Sequence, residues 1–417
     1  MTSPSLTSTT PRAGHLVPQH TGPEAYSAFV PAPLPPDPPL EFGGALLERL
    51  EAASHALGRL DGISASLDPA LLLYAYVRKE AVLSSQIEGT QSTLSDLLQY
   101  ENAAAPGVPV DDVQEVTRYV QALMHGHERI RSGLPISLRL VRELHAVLMA
   151  GGRGGAQTPG EFRRTQNWIG GSRPGNARFV PPPVPEMHRA LGDLETFIHT
   201  PGTRPIIKAG LVHVQFETIH PFLDGNGRLG RLLITFLLCA EGALGRPFLY
   251  LSLYFKQHRA LYYEALQRVR SHGDWEGWLD FYLTGVEQTA RQAAQTTSDL
   301  RALFEQDRAR ALSVGRSAQS VLRLYEHIRE RVIVSIARAS DSLALSQPTV
   351  TAALGRLESL GIVREITGRA YKRLYVYERQ LEILNRTDIE PVVPAIRRSA
   401  FESGEVVDVA ADAQTNS

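Results

Sequence analysis

Residues 220–231 read HPFLDGNGRLGR and run directly into the apolar stretch LLITFLLCA, residues 232–240. Few folds accommodate that junction. Glycine weakens a helix by roughly 0.5–1 kcal/mol per position relative to alanine, and charge resists burial. The nine residues that follow nevertheless read as a core helix. On the other side, KAGLVHVQFETI (208–219) spaces its apolar residues for a second helix. The chain must therefore place a loop rich in glycine and charge between two buried helices.

The rest of the pattern is mainly α. Asp68-Pro69 is an N-cap followed by proline at the first helical position; it opens ALLLYAYVRKEAVLSSQIEG, which Gly89 can close. Further helices are expected over Ser92–Tyr100, Asp111–Arg131, Ser137–Met149, Pro185–His199, Pro205–Ile219, Arg228–Ala240, Lys256–Arg270 and Trp275 to about Arg310. Residues 161–183, EFRRTQNWIGGSRPGNARFVPPP, break this rhythm. Aromatic and β-branched residues flanking GGSRPGN predict a hairpin or extended flap with a proline stop. Ten prolines in the first forty residues predict a disordered arm. The expected organisation is an arm over 1–40, an N-terminal helical region over 41–135, a core over 136–290, a helical linker over 291–318, a small domain over 319–380 and a flexible tail over 381–417.

At 417 residues the chain is too long for one ordinary core. Lys+Arg 43 against Asp+Glu 44 gives a net charge of −1, so the overall balance points to no polyanionic partner. The single cysteine, Cys239, cannot form an internal disulfide, which suits a reducing cytoplasm. The longest apolar run is far below the roughly 20 residues that cross a bilayer, and no apolar block of the first forty residues serves as a signal-peptide core. A cytoplasmic protein with no membrane partner is expected.

Gly225-Asn226-Gly227-Arg228-Leu229-Gly230 formally matches G-x-G-x-x-G. The dinucleotide fingerprint needs a strand before it and an acid ending a second strand; here helices occupy both places. Glycines ahead of a helix still turn backbone N–H groups toward an anion, and the helix adds its positive end. Asn226 tolerates a left-handed conformation, so Gly225–Gly227 predicts a concave nest. Arg228 and Arg231, three apart, share a face, and two guanidiniums beside a nest suggest a polyphosphate. Asp224, a lone carboxylate among phosphate binders, suits Mg²⁺. His220, four residues earlier, suits the acceptor of a hydroxyl proton, and Phe222 is expected to point inward and pin the loop. Each of these residues alone reads equally as an ordinary surface loop; twelve positions holding all of them do not.

HPFLDGNGRLGR matches, at every fixed position, the H-x-F-x-[DE]-G-N-G-R-x-x-R signature of Fic domains, and the resemblance extends over about residues 45–290. It implies a Fic-type helical bundle with a β-hairpin flap and a reaction in which AMP passes from ATP to a Ser, Thr or Tyr hydroxyl of a protein, the enzyme itself included. It implies His220 as general base and Asp224 as Mg²⁺ ligand. Nucleotide and phosphates fall to Gly225, Asn226, Gly227, Arg228, Leu229, Gly230 and Arg231. Tyr262 and Tyr263 resemble an aromatic pair near the adenine, and equally read as core aromatics. Asn176, Ala177, Arg178, Phe179 and Val180 resemble the flap that pairs with an extended target segment.

Glu88 stands in the last turn of the helix that Asp68 caps, where the macrodipole disfavours a carboxylate by roughly 0.3–1 kcal/mol. It is either solvated or paired with a distant arginine. Ser84-x-x-x-Glu88-Gly89 matches the [ST]-x-x-x-E-[GN] inhibitory motif of Fic proteins. The resemblance implies that Glu88 bridges to Arg231 and takes the γ-phosphate's place, with Ser84 steadying the helix; Glu88 aligning water for AMP removal stays open.

In the last segment, IARASDSLALSQPTVTAALGRLESLGIV fits a helix-turn-helix with Ser346 as a cap, and VREITGRAYKRLYVYER fits two strands around Gly368. Together they predict a winged helix, a small α+β domain. Residues 318–379 hold ten Arg/Lys and six Asp/Glu, a local excess of four positive charges. Gln347, Thr349, Thr351 and Arg356 could line the exposed side of the second helix, so DNA binding and protein docking both stay open, as does homo-oligomerisation. Rival readings are a non-catalytic nucleotide sensor, transfer of UMP or phosphocholine, and, more remotely, a metal hydrolase built on His213, His220 and Asp224.

Overall fold

The computed structural model describes residues 12–21, 24–102, 109–151, 158–315 and 318–389. An antiparallel hairpin, β1 (Gly14–Thr21) and β2 (Glu24–Pro31), comes first. There follow α1 (Gly44–Ser64), α2 (Pro69–Ile87), α3 (Leu94–Glu101), α4 (Val110–Arg131), α5 (Leu138–Leu148), α6 (Val184–His199), α7 (Pro205–Ile219) and α8 (Asn226–Ala240). Then come α9 (Ser252–Gln257), α10 (Arg259–His272) and α11 (Trp275–Leu312). The last part runs α12 (Ala318–Arg331), β3 (Ile333–Ser335), α13 (Ile336–Leu343), α14 (Gln347–Ser359), β4 (Arg364–Glu365), β5 (Leu374–Val376) and α15 (Glu378–Asn385). No helix among the described residues is long and apolar enough to cross a membrane.

α7 is the axis of the bundle. Every residue from Ile206 to Ile219 is buried, including the polar Lys208, His213, Gln215, Glu217 and Thr218, so the helix is enclosed on all sides. α8 packs along it and inserts Leu229, Leu232, Leu233, Phe236 and Leu237 into the same core. Around this pair lie α4, α5 and α6, with α10 and α11 closing the other side. α1 packs along α11, so the N-terminal helical region and the core share one hydrophobic cluster rather than forming separate cores. α2 is fixed by Glu80, whose carboxylate accepts from Ser252 Oγ at 2.5 Å and from Tyr119 Oη at 3.3 Å.

Several expectations are corrected. The predicted disordered arm is, over residues 12–21 and 24–40, an ordered strap; residues 1–11 and 22–23 lie outside the described residues. The strap is clasped at its base, where the Arg12 guanidinium donates to both Glu276 oxygens (2.7 and 2.6 Å) and Glu41 N–H donates to Glu276 Oε1 at 2.8 Å. The expected linker over 291–318 is, through Leu312, the continuation of α11, with Leu300, Leu303 and Phe304 buried. The single helix expected over 256–270 is broken at His258 into α9 and α10. The expected tail begins later, because α15 buries Gln380, Ile383 and Leu384; residues 390–417 lie outside the described residues. The flap is reduced to one bridge, Ile169 with Phe179, around a short 3₁₀ turn at Pro174–Asn176.

The C-terminal elements run helix, strand, two helices, two strands. β5 lies between β3 and β4, antiparallel to both. Ser346 caps α14 through the Thr349 N–H at 3.3 Å.

Candidate active site

α7 ends at Ile219, and His220 turns into the left-handed region (φ 49°, ψ 60°). For a residue with a side chain that conformation costs roughly 1 kcal/mol or more, and its surroundings must impose it. Arg163 Nε donates to the His220 carbonyl at 3.1 Å, and Asn167 Nδ2 donates to the same oxygen at 3.2 Å and to the Phe222 carbonyl at 2.9 Å. His220 Nδ1–H donates to the Glu217 carbonyl at 3.3 Å, which leaves Nε2 with its lone pair. Burial, with the Arg270 charge adding to it, pushes the imidazole down to about 4. It is therefore neutral at pH 7, the state a base requires.

The loop after His220 is closed by side chains. Phe222 is fully buried and stacks on His145, with centroids 3.7 Å apart and planes 9° apart. Asn226 bridges back, accepting from Phe222 N–H at 2.9 Å and donating to the Phe222 carbonyl at 2.9 Å. Gly225 is the left-handed residue (φ 77°), whereas Asn226 already belongs to α8; the expectation of a left-handed Asn226 is corrected. His145 Nδ1 accepts the Gly160 N–H at 2.8 Å, so its Nε2–H donates to the Asp224 carbonyl at 3.0 Å. The Asp224 side chain is half exposed and accepts the Gly225 N–H at 2.6 Å.

At the mouth of α8 the two arginines are both occupied. Arg231 NH2 lies 2.7 Å from Glu88 Oε1, Nε donates to Ser84 Oγ at 2.8 Å, and NH2 donates to the Ser84 carbonyl at 3.0 Å. Burial alone would raise the Glu88 carboxyl, but the Arg231 charge and hydrogen bond outweigh it and hold the group below the usual range. A methyl group on Gly227 would come within 2.3 Å of Glu88 Oε1, so the carboxylate sits against the nest itself. Gly89, with φ 106°, lets the chain turn away immediately after Glu88. The Arg228 guanidinium meets a second carboxylate, Glu115 of α4, at 2.8 Å, and Asp224 only at 3.8 Å.

Other candidates separate. Leu229 is fully buried, and Gly230 faces Glu217 and Phe216 of α7, so this pair packs α8 rather than facing the nest. Tyr262 is buried and bonds His213 Nε2 through its hydroxyl at 2.8 Å; its core reading replaces the adenine reading. Tyr263 is 40% exposed with the Arg259 guanidinium 5.7 Å from its ring centre, and it remains available to a ligand. His213 lies among Phe255, Tyr262 and Trp278. The metal-hydrolase reading therefore fails, and among the described residues no group of three His, Cys, Asp or Glu could hold a metal ion. In the flap, Phe179 and Val180 are buried, Arg178 is exposed, and Asn176 Oδ1 accepts the Ser172 and Arg173 N–H groups at 3.0 Å each, which leaves the partly buried Ala177 as the link into the bridge.

Sequence reasoning missed Glu115, His145, Arg163 and Asn167. Arg163 and Asn167 stand in the EFRRTQN stretch already singled out as non-helical, which was the available signal. Glu115 and His145 sit in ordinary amphipathic helices and carry none.

A left-handed histidine, a glycine nest at a buried helix and the Glu88 carboxylate against that nest are the arrangement expected from the resemblance to Fic domains. Family models agree: Fic/DOC family N-terminal matches residues 47–128 and Fic/DOC family matches residues 135–238. The two matches take in residues 47–128 and 135–238, under half of the chain. It is 28% identical over 264 residues to the protein adenylyltransferase Fic of Drosophila ananassae, covering 61% of this chain and 48% of that protein. The Drosophila grimshawi protein of the same name is 30% identical over 219 residues, 51% of this chain and 42% of that one. The chain thus spans about half the length of the curated relatives it matches. A Fic family protein from Desulfovibrio desulfuricans G20 shares the fold, with a TM-score of 0.53 and 21% identity, covering 81% of this chain and 97% of that one.

Proposed function

We propose that the chain transfers AMP from ATP to a Ser, Thr or Tyr hydroxyl of a protein, itself included, and that Glu88 restrains the reaction. The observation that carries this reading is the neutral His220, its Nε2 free, beside a glycine nest flanked by Arg228 and Arg231. The target hydroxyl attacks the α-phosphorus, its proton passes to His220 Nε2, and pyrophosphate leaves as the P–O bond to it breaks. Holding the partners in line and stabilising charge with backbone N–H groups and guanidiniums supplies most of the acceleration. Asp224, half exposed at the loop with only a weak ion pair, fits a single-carboxylate Mg²⁺ site that leaves other positions to phosphate and water. The ion would neutralise phosphate charge there.

Glu88 occupies the part of the nest and the Arg231 guanidinium that a γ-phosphate would take. Displacing it is expected to raise transfer, and its carboxylate could align water for the reverse reaction, AMP removal. The test is incubation with labelled ATP. Glu88→Gly should raise self-labelling about 10–100-fold, equivalent to about 1.4–2.7 kcal/mol, and adding His220→Ala should abolish it. Equal labelling of wild type and Glu88→Gly sinks the restraint. Labelling from UTP or CDP-choline but not ATP would reassign the transferred group.

The C-terminal order of elements supports a winged helix over residues 318–385. Its wing carries Arg369, Lys372 and Arg373 beside Tyr371, which is 85% exposed. That composition favours a nucleic-acid backbone, and salt-sensitive binding of duplex DNA by the full chain would support it.

A further inference from the structure

The flap is already paired with part of this chain. Phe29 N–H of β2 donates to the Val180 carbonyl at 2.9 Å. The Phe29 and Phe179 rings lie 6.0 Å apart, and together with Ala13, Leu16 and Ile169 they form a small apolar cluster separate from the main core. Five residues before Phe29, Glu24 reaches the turn of the flap, where its carboxylate pairs with Arg173 at 3.2 Å and accepts the Gly175 N–H at 3.1 Å. A side chain at 175 would collide with that carboxylate, since a Cβ there would lie 2.1 Å from Glu24 Oε1. β2 and the flap run in the same direction, acid at the turn and aromatic at the base. The base is tied to the reacting centre: Arg163 donates to the carbonyls of both Pro182 and His220, and Arg270 stacks on Phe179 while donating to the Glu217 carbonyl.

We propose that β2 holds this edge in place of a partner, and that the flap reads an extended segment of a target protein carrying a carboxylate and, five residues later, an aromatic side chain. That the partner is a modification target rests on the transferase reading; the docking rule does not. The cation Arg173 with the Gly175 N–H selects the acid. The Phe179 ring, backed by the Arg270 guanidinium, selects the aromatic. The Val180 carbonyl fixes the register between them, as strand addition requires. β2 competes because it is tethered and so acts at high effective concentration, yet its own apolar anchorage on the flap is only the small cluster around Phe29.

The experiment uses the full chain and a fluorescent peptide with the sequence of residues 23–33, PEAYSAFVPAP. The double variant Glu24→Lys/Phe29→Ala should free the flap. Hydrogen exchange at the residue 29 amide, which donates to the Val180 carbonyl, should quicken while α7 and α8 stay protected. The peptide should then bind this variant at least about tenfold more tightly than wild type, a difference of about 1.4 kcal/mol. Peptides with the glutamate changed to lysine, or the phenylalanine to alanine, should lose that gain. Adding Arg173→Glu to the double variant should reverse the charge preference, rejecting the native peptide and accepting the lysine one. Unchanged exchange at the residue 29 amide would mean that Glu24 and Phe29 do not hold the strand, and equal binding of all three peptides, or of none, would remove the reading rule. No readout needs AMP transfer. A chain that binds the peptide by this rule but labels nothing would overturn the transferase reading alone.

Discussion

Arg228 and Arg231 are almost fully buried, and each is met by a carboxylate from another helix: Glu115 from α4 and Glu88 from α2. Breaking a buried pair strands the remaining charge, so on the proposed reading the two carboxylates would decide whether those guanidiniums are available to phosphate. Glu115→Gln keeps the shape and a hydrogen-bond acceptor while removing the charge. In a Glu88→Gly background it should lower the KM for ATP severalfold with kcat little changed, because Arg228 is released to the ligand in ground and transition states alike. A fall in kcat instead would mean that Glu115 aims Arg228. His220 makes a further prediction at this scale. Its imidazole is held near 4, below the ordinary value of about 6.5, so the proposed base stays neutral well into acid. Activity of Glu88→Gly should hold down to about pH 5 and fall as pH approaches about 4. Glu217, pushed up to about 7 by burial against the lowering effect of Arg231, titrates above that range; recording the profile in Glu217→Gln separates the two. An acid limb near 6.5 in that variant contradicts the assignment. The same shift has a stability sign. Between about 4 and 6.5 the unfolded chain binds more protons at this histidine, so its contribution is lost as pH falls through that window.

Elements determine how these residues meet, and they differ in how openly the sequence announced them. α7, α8 and the loop between them were legible because apolar period and glycine placement are local signals. Glu88 was legible because a carboxylate at a helix C-terminus contradicts the macrodipole and asks for a partner, and Ser84 only through the [ST]-x-x-x-E-[GN] motif that it shares with Glu88. The N-terminal strap was not. Its proline content masked a period-two alternation in HLVPQH and EAYSAFV, and what holds it, Glu276 for Arg12, lies more than 260 residues away. Glu115 and His145 were invisible for the same reason, since only the packing of α4 and α5 on α8 gives them a role. His145 tests how far an element positions the site. α5 delivers its ring so that one nitrogen fixes Gly160 and the other fixes the Asp224 carbonyl. His145→Gln can keep the bond to Asp224, whereas His145→Asn can keep only the one to Gly160. If the ring places the Asp224 loop, the Asn variant should lose about tenfold in rate and need more Mg²⁺ for half-maximal activity, while Gln is largely spared. Equal losses, with Mg²⁺ dependence unchanged, would reduce His145 to a packing residue.

At the scale of the whole molecule, α2 is the member that touches both ends of the problem. Its last turn carries Ser84 and Glu88 into the site, while its middle is gripped by the C-terminal part of the chain. Lys79 Nζ donates to the Arg386 carbonyl at 2.9 Å and lies 4.3 Å from the centre of the Tyr250 ring. Gln257 and Gln292 fasten the same segment through the Thr387 and Arg386 carbonyls at 2.7 and 3.1 Å. Tyr74 and Arg78 face α12, with the Arg331 guanidinium 5.2 Å from the Tyr74 ring centre. Nine residues separate Lys79 from Glu88, about two and a half turns of one stiff rod, so whatever loosens the first should loosen the second. Lys79 is also a buried cation with no carboxylate paired to it among the described residues, and burial pushes it down to about 7, so its hold on Arg386 weakens as pH rises through neutrality. Lys79→Met keeps the apolar stem and removes the bond. It should quicken hydrogen exchange across 84–89 and raise self-labelling severalfold at pH 6.5, still below the Glu88→Gly level, because Arg231 and Glu88 can still find each other. The difference from wild type should shrink toward pH 8, where the wild-type lysine has itself lost its proton. If exchange at 84–89 and labelling are unchanged at both pH values, the C-terminal segment steadies α2 without governing Glu88, and a signal that lifts the glutamate must enter through the site itself.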